Sequence, residues 1–70
     1  MKKYRRSDLS RTMNRKIKRK EQVLGRTCRT IWEHTNPKGE RILYGSFCKN
    51  HDKMIVTIGY WKDSMLLSVD

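Results

Sequence analysis

Long apolar runs are missing from this chain. No stretch approaches the roughly 20 apolar residues that a membrane-spanning helix needs, and the mean hydropathy is −0.90. The charged N-terminus is not followed by an apolar segment of the kind that marks a secretory leader. The expectation is therefore a soluble, cytoplasmic protein with no membrane partner. Cysteine is scarce: Cys28 and Cys48 are the only two, too few for the disulfide framework of a secreted miniprotein. Acidic residues number seven against seventeen lysines and arginines. They are dispersed, which argues against a two-metal nuclease, and the chain has neither a glycine-rich phosphate loop nor a His-Glu-x-x-His pattern. Seventy residues with a hydrophobic fraction of 36% supply one thin core and no more.

What the chain has in excess is positive charge, and it is unevenly placed. Residues 1–24 hold ten lysines and arginines against Asp8 and Glu21, a net of +8, while residues 25–70 carry a net of +2. A basic third joined to a near-neutral remainder reads as a basic device attached to a body. Within it, Leu9, Met13, Ile17 and Leu24 recur at helical spacing and define an apolar stripe, with Val23 at one edge; Arg11, Arg15, Lys18 and Arg19 project on the opposite side. Ser7 or Ser10 can cap the start, Asp8 suits the positive end of the helix dipole, and Gly25 suits a left-handed stop. A basic amphipathic helix over about 8–24 is expected. Residues 1–6 (MKKYRR) lack such signals and read as a flexible basic arm.

Beyond Gly25 the period changes. Thr27–Thr35, Arg41–Cys48 and Met54–Trp61 are rich in β-branched and aromatic residues, and Met65–Val69 is a further short apolar run. Asn36-Pro37-Lys38-Gly39 suits a type I turn completed by a left-handed glycine. That loop sets a register in which residue numbers sum to 76, placing Trp32 opposite Tyr44, Thr30 opposite Ser46 and Cys28 opposite Cys48. Turns are expected again near Lys49–Asp52 and Lys62–Ser64. The expected fold is α+β, a single small domain over 7–70: the helix, then an antiparallel meander of three or four strands over about 26–69. Helix followed by strands bent at Gly45 and Gly59 is similar in element order to SH3-like and Sm-like small barrels, which implies that the meander could curl into one.

Chemistry-bearing side chains are few. Cys28, Cys48 and His51 could contribute to a zinc site, Cys48 and His51 being separated by the two-residue gap of a metal knuckle. His34 lies about 20 Å from Cys28 along an extended strand, so a fourth ligand is missing. A Cys28–Cys48 disulfide fits the register but not a reducing compartment, and two small buried thiols is the plainer reading. Cys48, His51 and Asp52 crowd into one loop that cannot aim a nucleophile, base and orienter. No cofactor, no metal and no enzymatic activity is expected.

Two partner classes fit the charge. The first is nucleic acid, DNA or RNA, with phosphates met by Lys3, Arg5, Arg6, Arg11, Arg15, Lys18 and Arg19, and bases stacking on Trp32 and Tyr44. The chain would then be a small non-catalytic, regulatory nucleic-acid-binding protein. The alternative is an acidic surface of a larger host protein, such as a nucleic-acid enzyme, bound by a phage-type inhibitor or adaptor. In that case the stripe Leu9, Met13, Ile17 and Leu24 could anchor the contact. An interfacial membrane helix lacks the large apolar residues it would need.

Overall fold

A computed structural model describes residues 1–69; Asp70, the last residue of the expected domain, lies outside the described residues. The apolar stripe forms α1, Arg11–Leu24. It begins later than its periodicity suggests because Ser10, not Ser7, is the cap: Ser10 Oγ accepts the Met13 N–H at 3.1 Å. Ahead of it Arg6–Asp8 make one 3-10 turn, in which the Asp8 carboxylate accepts the Arg5 N–H at 2.8 Å. At the other end Gly25 sits at φ +65. Its N–H and that of Arg26 both close on the Glu21 carbonyl, at 2.9 and 3.2 Å, a left-handed cap that a Cβ would strain.

Five strands build one antiparallel sheet in the order β1-β2-β3-β4-β5. They are β1 Lys2–Tyr4, β2 Thr27–Thr35, β3 Arg41–Lys49, β4 Asp52–Lys62 and β5 Met65–Ser68. β1 corrects the expected arm. Lys2, Lys3 and Tyr4 pair with Glu33, Trp32 and Ile31, and the Tyr4 hydroxyl donates to Glu33 at 2.9 Å. Next along the chain, Arg6 is tied to α1: its Nε donates to Asn14 Oδ1 at 2.9 Å, while Asn14 Nδ2 donates back to the Arg6 carbonyl at 2.7 Å. Two lysines in three residues conceal a strand from pattern reading, because the affinity comes from backbone pairing and from one aromatic side chain.

The turns follow local chemistry. Asn36 Oδ1 accepts the N–H groups of Lys38 and Glu40 at 3.0 and 2.9 Å, and Gly39 takes φ +84. Asn50 and His51 lie at φ 47 and 71, Asp63 and Ser64 at 51 and 68. Both pairs are two-residue hairpin turns with positive φ at each centre, the form whose twist matches the flanking strands.

The β2–β3 register holds at a sum of 76 from Thr30 to Thr35, with Trp32 opposite Tyr44. A bulge at Arg29 then shifts it, so Cys28 faces Phe47 and Cys48 faces Thr27. That overturns the expected Cys28–Cys48 pairing and leaves the two thiols on opposite faces of the sheet. A second irregularity, at Ile58 in β4, falls between the Leu43–Gly59 and Tyr44–Thr57 pairs. Bulges bend and twist a strand, and here they curl the sheet around its helix-bearing face. Tyr4 on β1 and Trp61 on β4 lie three strand spacings apart, roughly 14 Å if flat, yet their ring centroids are 5.9 Å apart. Gly59 makes the bend possible, since any Cβ there would run into the Leu67 carbonyl. The curl stops short of a barrel: β1 and β5 remain separate edges of an open sheet.

Inside the curl α1 inserts Met13 and Ile17 among Ile31, Leu43, Phe47 and Ile58, which form the buried core. Ile17 is fully buried and Met13 3% exposed, so these two residues of the stripe anchor the helix to its own sheet and not to a partner. At the rim Glu33 accepts from Tyr4 and, at 3.0 Å, from Arg41, whose guanidinium lies 4.7 Å from the Trp61 ring centroid. This clasp ties β1, β2, β3 and β4 together.

Truncating Ile17 to Ala should cost about 2–5 kcal/mol, read as a lower midpoint in a denaturant titration. A near-neutral result would mean that α1 is not docked. The clasp also has a pH signature. The Arg41 hydrogen bond, against some desolvation, holds the Glu33 carboxyl below the ordinary carboxylate range, and the Tyr4 hydroxyl adds to it. With the folded pKa below the unfolded one, the clasp is stabilising above about pH 4.3 and is lost as pH falls through the lower folded value. Thermal melts between neutral pH and pH of about 3 should therefore show Glu33→Gln less acid-sensitive than the parent.

Candidate nucleic-acid interface

Docking α1 through Met13 and Ile17 determines what the other helix positions can do. Arg11, Thr12, Arg15, Lys18, Arg19, Gln22 and Val23 are exposed. Arg11, Arg15 and Arg19 form a row at intervals of four residues, about 6 Å apart along the axis, with Lys18 beside them. Among the described residues none of these four cations lies within ion-pair distance of a carboxylate.

Five of the six described acidic residues are used elsewhere. Glu21 lies 3.4 Å from Arg6 and accepts the Cys28 N–H at 2.9 Å. Asp52 pairs with Arg26 at 2.6 Å, and Glu33 with Arg41 at 3.0 Å. Glu40 accepts from the Asn36 amide at 3.0 Å, and Asp8 from the Arg5 backbone. Each of these bonds holds a turn, cap or strand end, so none neutralises the exposed helix face. Like charges four apart on a helix repel by about 0.2–0.5 kcal/mol per pair. The row carries that cost with no carboxylate among the described residues to neutralise it.

The remaining predicted residues fall in other places. Arg6 is taken up by Asn14 and Glu21 and contributes to folding. Lys3 is exposed beside Trp32 on β1, and Arg5 is exposed at the bend that follows. Trp32 and Tyr44 stack on each other, centroids 5.9 Å apart and ring planes 27° apart. They stand on the sheet face away from α1, because their neighbours Ile31, Leu43 and Gly45 are the ones buried beneath the helix. Tyr60 is 42% exposed, and Ile55 49%; their pairing with Ile42 and Ser46 of β3, across the irregularity at Ile58, places both on that same outer face. The structure thus splits the predicted set into two surfaces, a cationic helix face and an aromatic sheet face, looking in opposite directions. Alternation alone does not reveal this, since both faces of these strands carry apolar residues.

For metal binding the geometry is unfavourable. Cys28 points to the helix side of the sheet and Cys48 to the other, where Ser46 Oγ is 3.6 Å from its sulfur. His51 occupies a hairpin turn. Among the described residues no group of three or more Cys, His, Asp or Glu side chains is placed to hold a metal ion. Burial pushes the Cys28 thiol up, only partly opposed by Arg6, which disfavours the thiolate a metal or a nucleophilic reaction requires.

No protein-family model, curated protein or solved structure matches the chain.

Because Arg15 and Arg19 face outward, reversing both to Glu should leave the fold intact. Thermal melting should shift by no more than roughly 0.5 kcal/mol per site, the scale of surface substitutions. Loss of the cooperative transition would show instead that the row is part of the packing.

Proposed function

We propose that this protein binds the phosphate backbone of nucleic acid through the exposed face of α1, as a small non-catalytic and regulatory protein. The observation that carries this reading is the row Arg11, Arg15 and Arg19 with Lys18, held on a rigidly docked helix with no carboxylate partner among the described residues. A face of this kind suits a polyanion for two reasons. Guanidinium groups bond phosphate oxygens in a bidentate manner. Counterions displaced from the nucleic acid then supply a favourable entropy that grows with each contact.

The arrangement favours backbone contact over base reading. Such contacts position a protein without selecting sequence, and no feature of α1 singles out a base. Arg5, at the bend after β1, lies outside the row and would extend its footprint, whereas Lys3 pairs with Trp32 and so stands on the opposite, aromatic face. Trp32 and Tyr44 face the other way, so a strand lying on α1 does not also stack on them.

Measured by fluorescence anisotropy against random-sequence duplex and single strands, about four phosphate contacts predict a log–log salt slope near −3.6 on duplex DNA, or about −2.8 on a single strand. Arg15→Glu with Arg19→Glu should abolish binding with the fold retained. Failure of random DNA and random RNA alike to bind at about 50 mM salt would sink the proposal.

A further inference from the structure

Beside the cationic row, on the flank of α1 that turns toward β4, lies a groove of about 630 Å³. Its floor is aliphatic: Val23 and Leu24 from α1, Met54 and Val56 from β4, and Val69 beyond β5. Lys16, Arg19 and Lys20 line it from the helix, and no acidic side chain among the described residues does so. Val23 is 77% exposed and Met54 38%. Val23 is therefore an apolar side chain left in solvent on a helix face otherwise occupied by cations, threonine and glutamine.

We propose that this groove docks an acidic, aliphatic segment of a partner protein, its branched or linear apolar side chains on the floor and its carboxylates against Arg19 and Lys20. Several other occupants fit less well. A nucleic acid would satisfy the cations but has nothing to place on five aliphatic side chains, and no aromatic ring lines the groove for a base to stack on. A long-chain carboxylate matches the chemistry, but ligands of that size are usually some 70–90% enclosed by their pockets. Here the exposure of Val23 and Met54 shows that the groove is shallow. A second copy is opposed by charge, since the chain carries a net +10 and its only helix among the described residues is itself basic. An amphipathic segment with apolar residues at i, i+3, i+4 and i+7 and flanking Asp or Glu provides both parts of the match.

The site shares Arg19 with the nucleic-acid face but otherwise uses different residues. A segment in the groove would compete for that one cation and so weaken nucleic-acid binding without covering Arg11, Arg15 or Lys18. The groove stands on its own observation, so either assignment can fail without the other.

The test uses the full chain and a labelled designed peptide with leucines on one helix face and glutamates beside them. The control is a peptide of the same composition with its leucines spread around the helix. The patterned peptide should bind saturably, shift the amide resonances of Val23, Met54 and Val56, and displace random nucleic acid only in part. Val23→Gln with Met54→Gln, at two exposed positions, should weaken peptide binding about tenfold, the scale of losing apolar anchors, while leaving nucleic-acid affinity unchanged. Arg11→Glu with Arg15→Glu should do the reverse. Equal binding of the two peptides would overturn the proposal in favour of charge alone. Groove resonances that move with dodecanoate but not with the patterned peptide would overturn it in favour of a small amphiphile. Concentration-dependent self-association that moves those same resonances would overturn it in favour of a second copy.

Discussion

The insertion of Met13 and Ile17 into the concave face of the sheet is the contact on which everything else depends. A basic helix whose outer row has no acidic partner among the described residues is a poor structure in isolation, since like charges at four-residue spacing oppose it and fourteen residues are barely enough for a helix to persist in water. Burial of two apolar side chains against Ile31, Leu43, Phe47 and Ile58 offsets that repulsion. It also fixes the rotation of α1 about its axis. Once Ile17 points inward, Arg11, Arg15, Lys18 and Arg19 must point outward, and Val23 is left at the margin.

The sheet has to be concave for this contact to exist. Seventy residues cannot bury a flat five-stranded sheet and a helix; curling the sheet lets one helix meet several strands at once. The bulges at Arg29 and Ile58 and the close backbone approach at Gly59 produce the curl. The Tyr4–Glu33–Arg41–Trp61 clasp holds its rim. The clasp also explains why the N-terminal residues are ordered: Tyr4 has both a hydrogen-bond acceptor and an aromatic neighbour waiting in the sheet. Economy with acidic residues belongs to the same design. Nearly every described carboxylate holds a turn, cap or strand end, and this is what leaves Arg11, Arg15, Lys18 and Arg19 without a counter-charge among the described residues.

The elements in which local chemistry is decisive were legible from the residues themselves. Ser10, Gly25 and the Leu9–Met13–Ile17–Leu24 spacing define α1; Asn36-Pro37-Lys38-Gly39 defines the first hairpin and the Trp32–Tyr44 pairing. What the pattern did not show depends on distant groups. β1 is invisible because Lys2 and Lys3 carry no strand signature and Tyr4 finds its partners only in β2 and β4. The Arg29 bulge is equally silent, and it alone separates Cys28 from Cys48 and removes the basis for a shared metal site or disulfide. Of the candidate interface, the cationic row was visible as one side of a helical wheel. The withdrawal of Arg6 into a bond with Asn14 was not, because it requires the 3-10 turn that brings residue 6 back along the helix.

By itself the sequence determined the types of the elements from α1 onward, most turn positions, the sidedness of α1 and the concentration of charge on it, because each of these arises from spacing and from bonds between near neighbours. Tertiary structure alone decided which face of the sheet the helix covers, since both alternations of β2, β3 and β4 carry apolar side chains and only packing chooses between them. That choice turned Trp32 and Tyr44 away from the cationic row, and it opened beside α1 an aliphatic groove whose lining residues Val23 and Met54 are 31 residues apart in the chain.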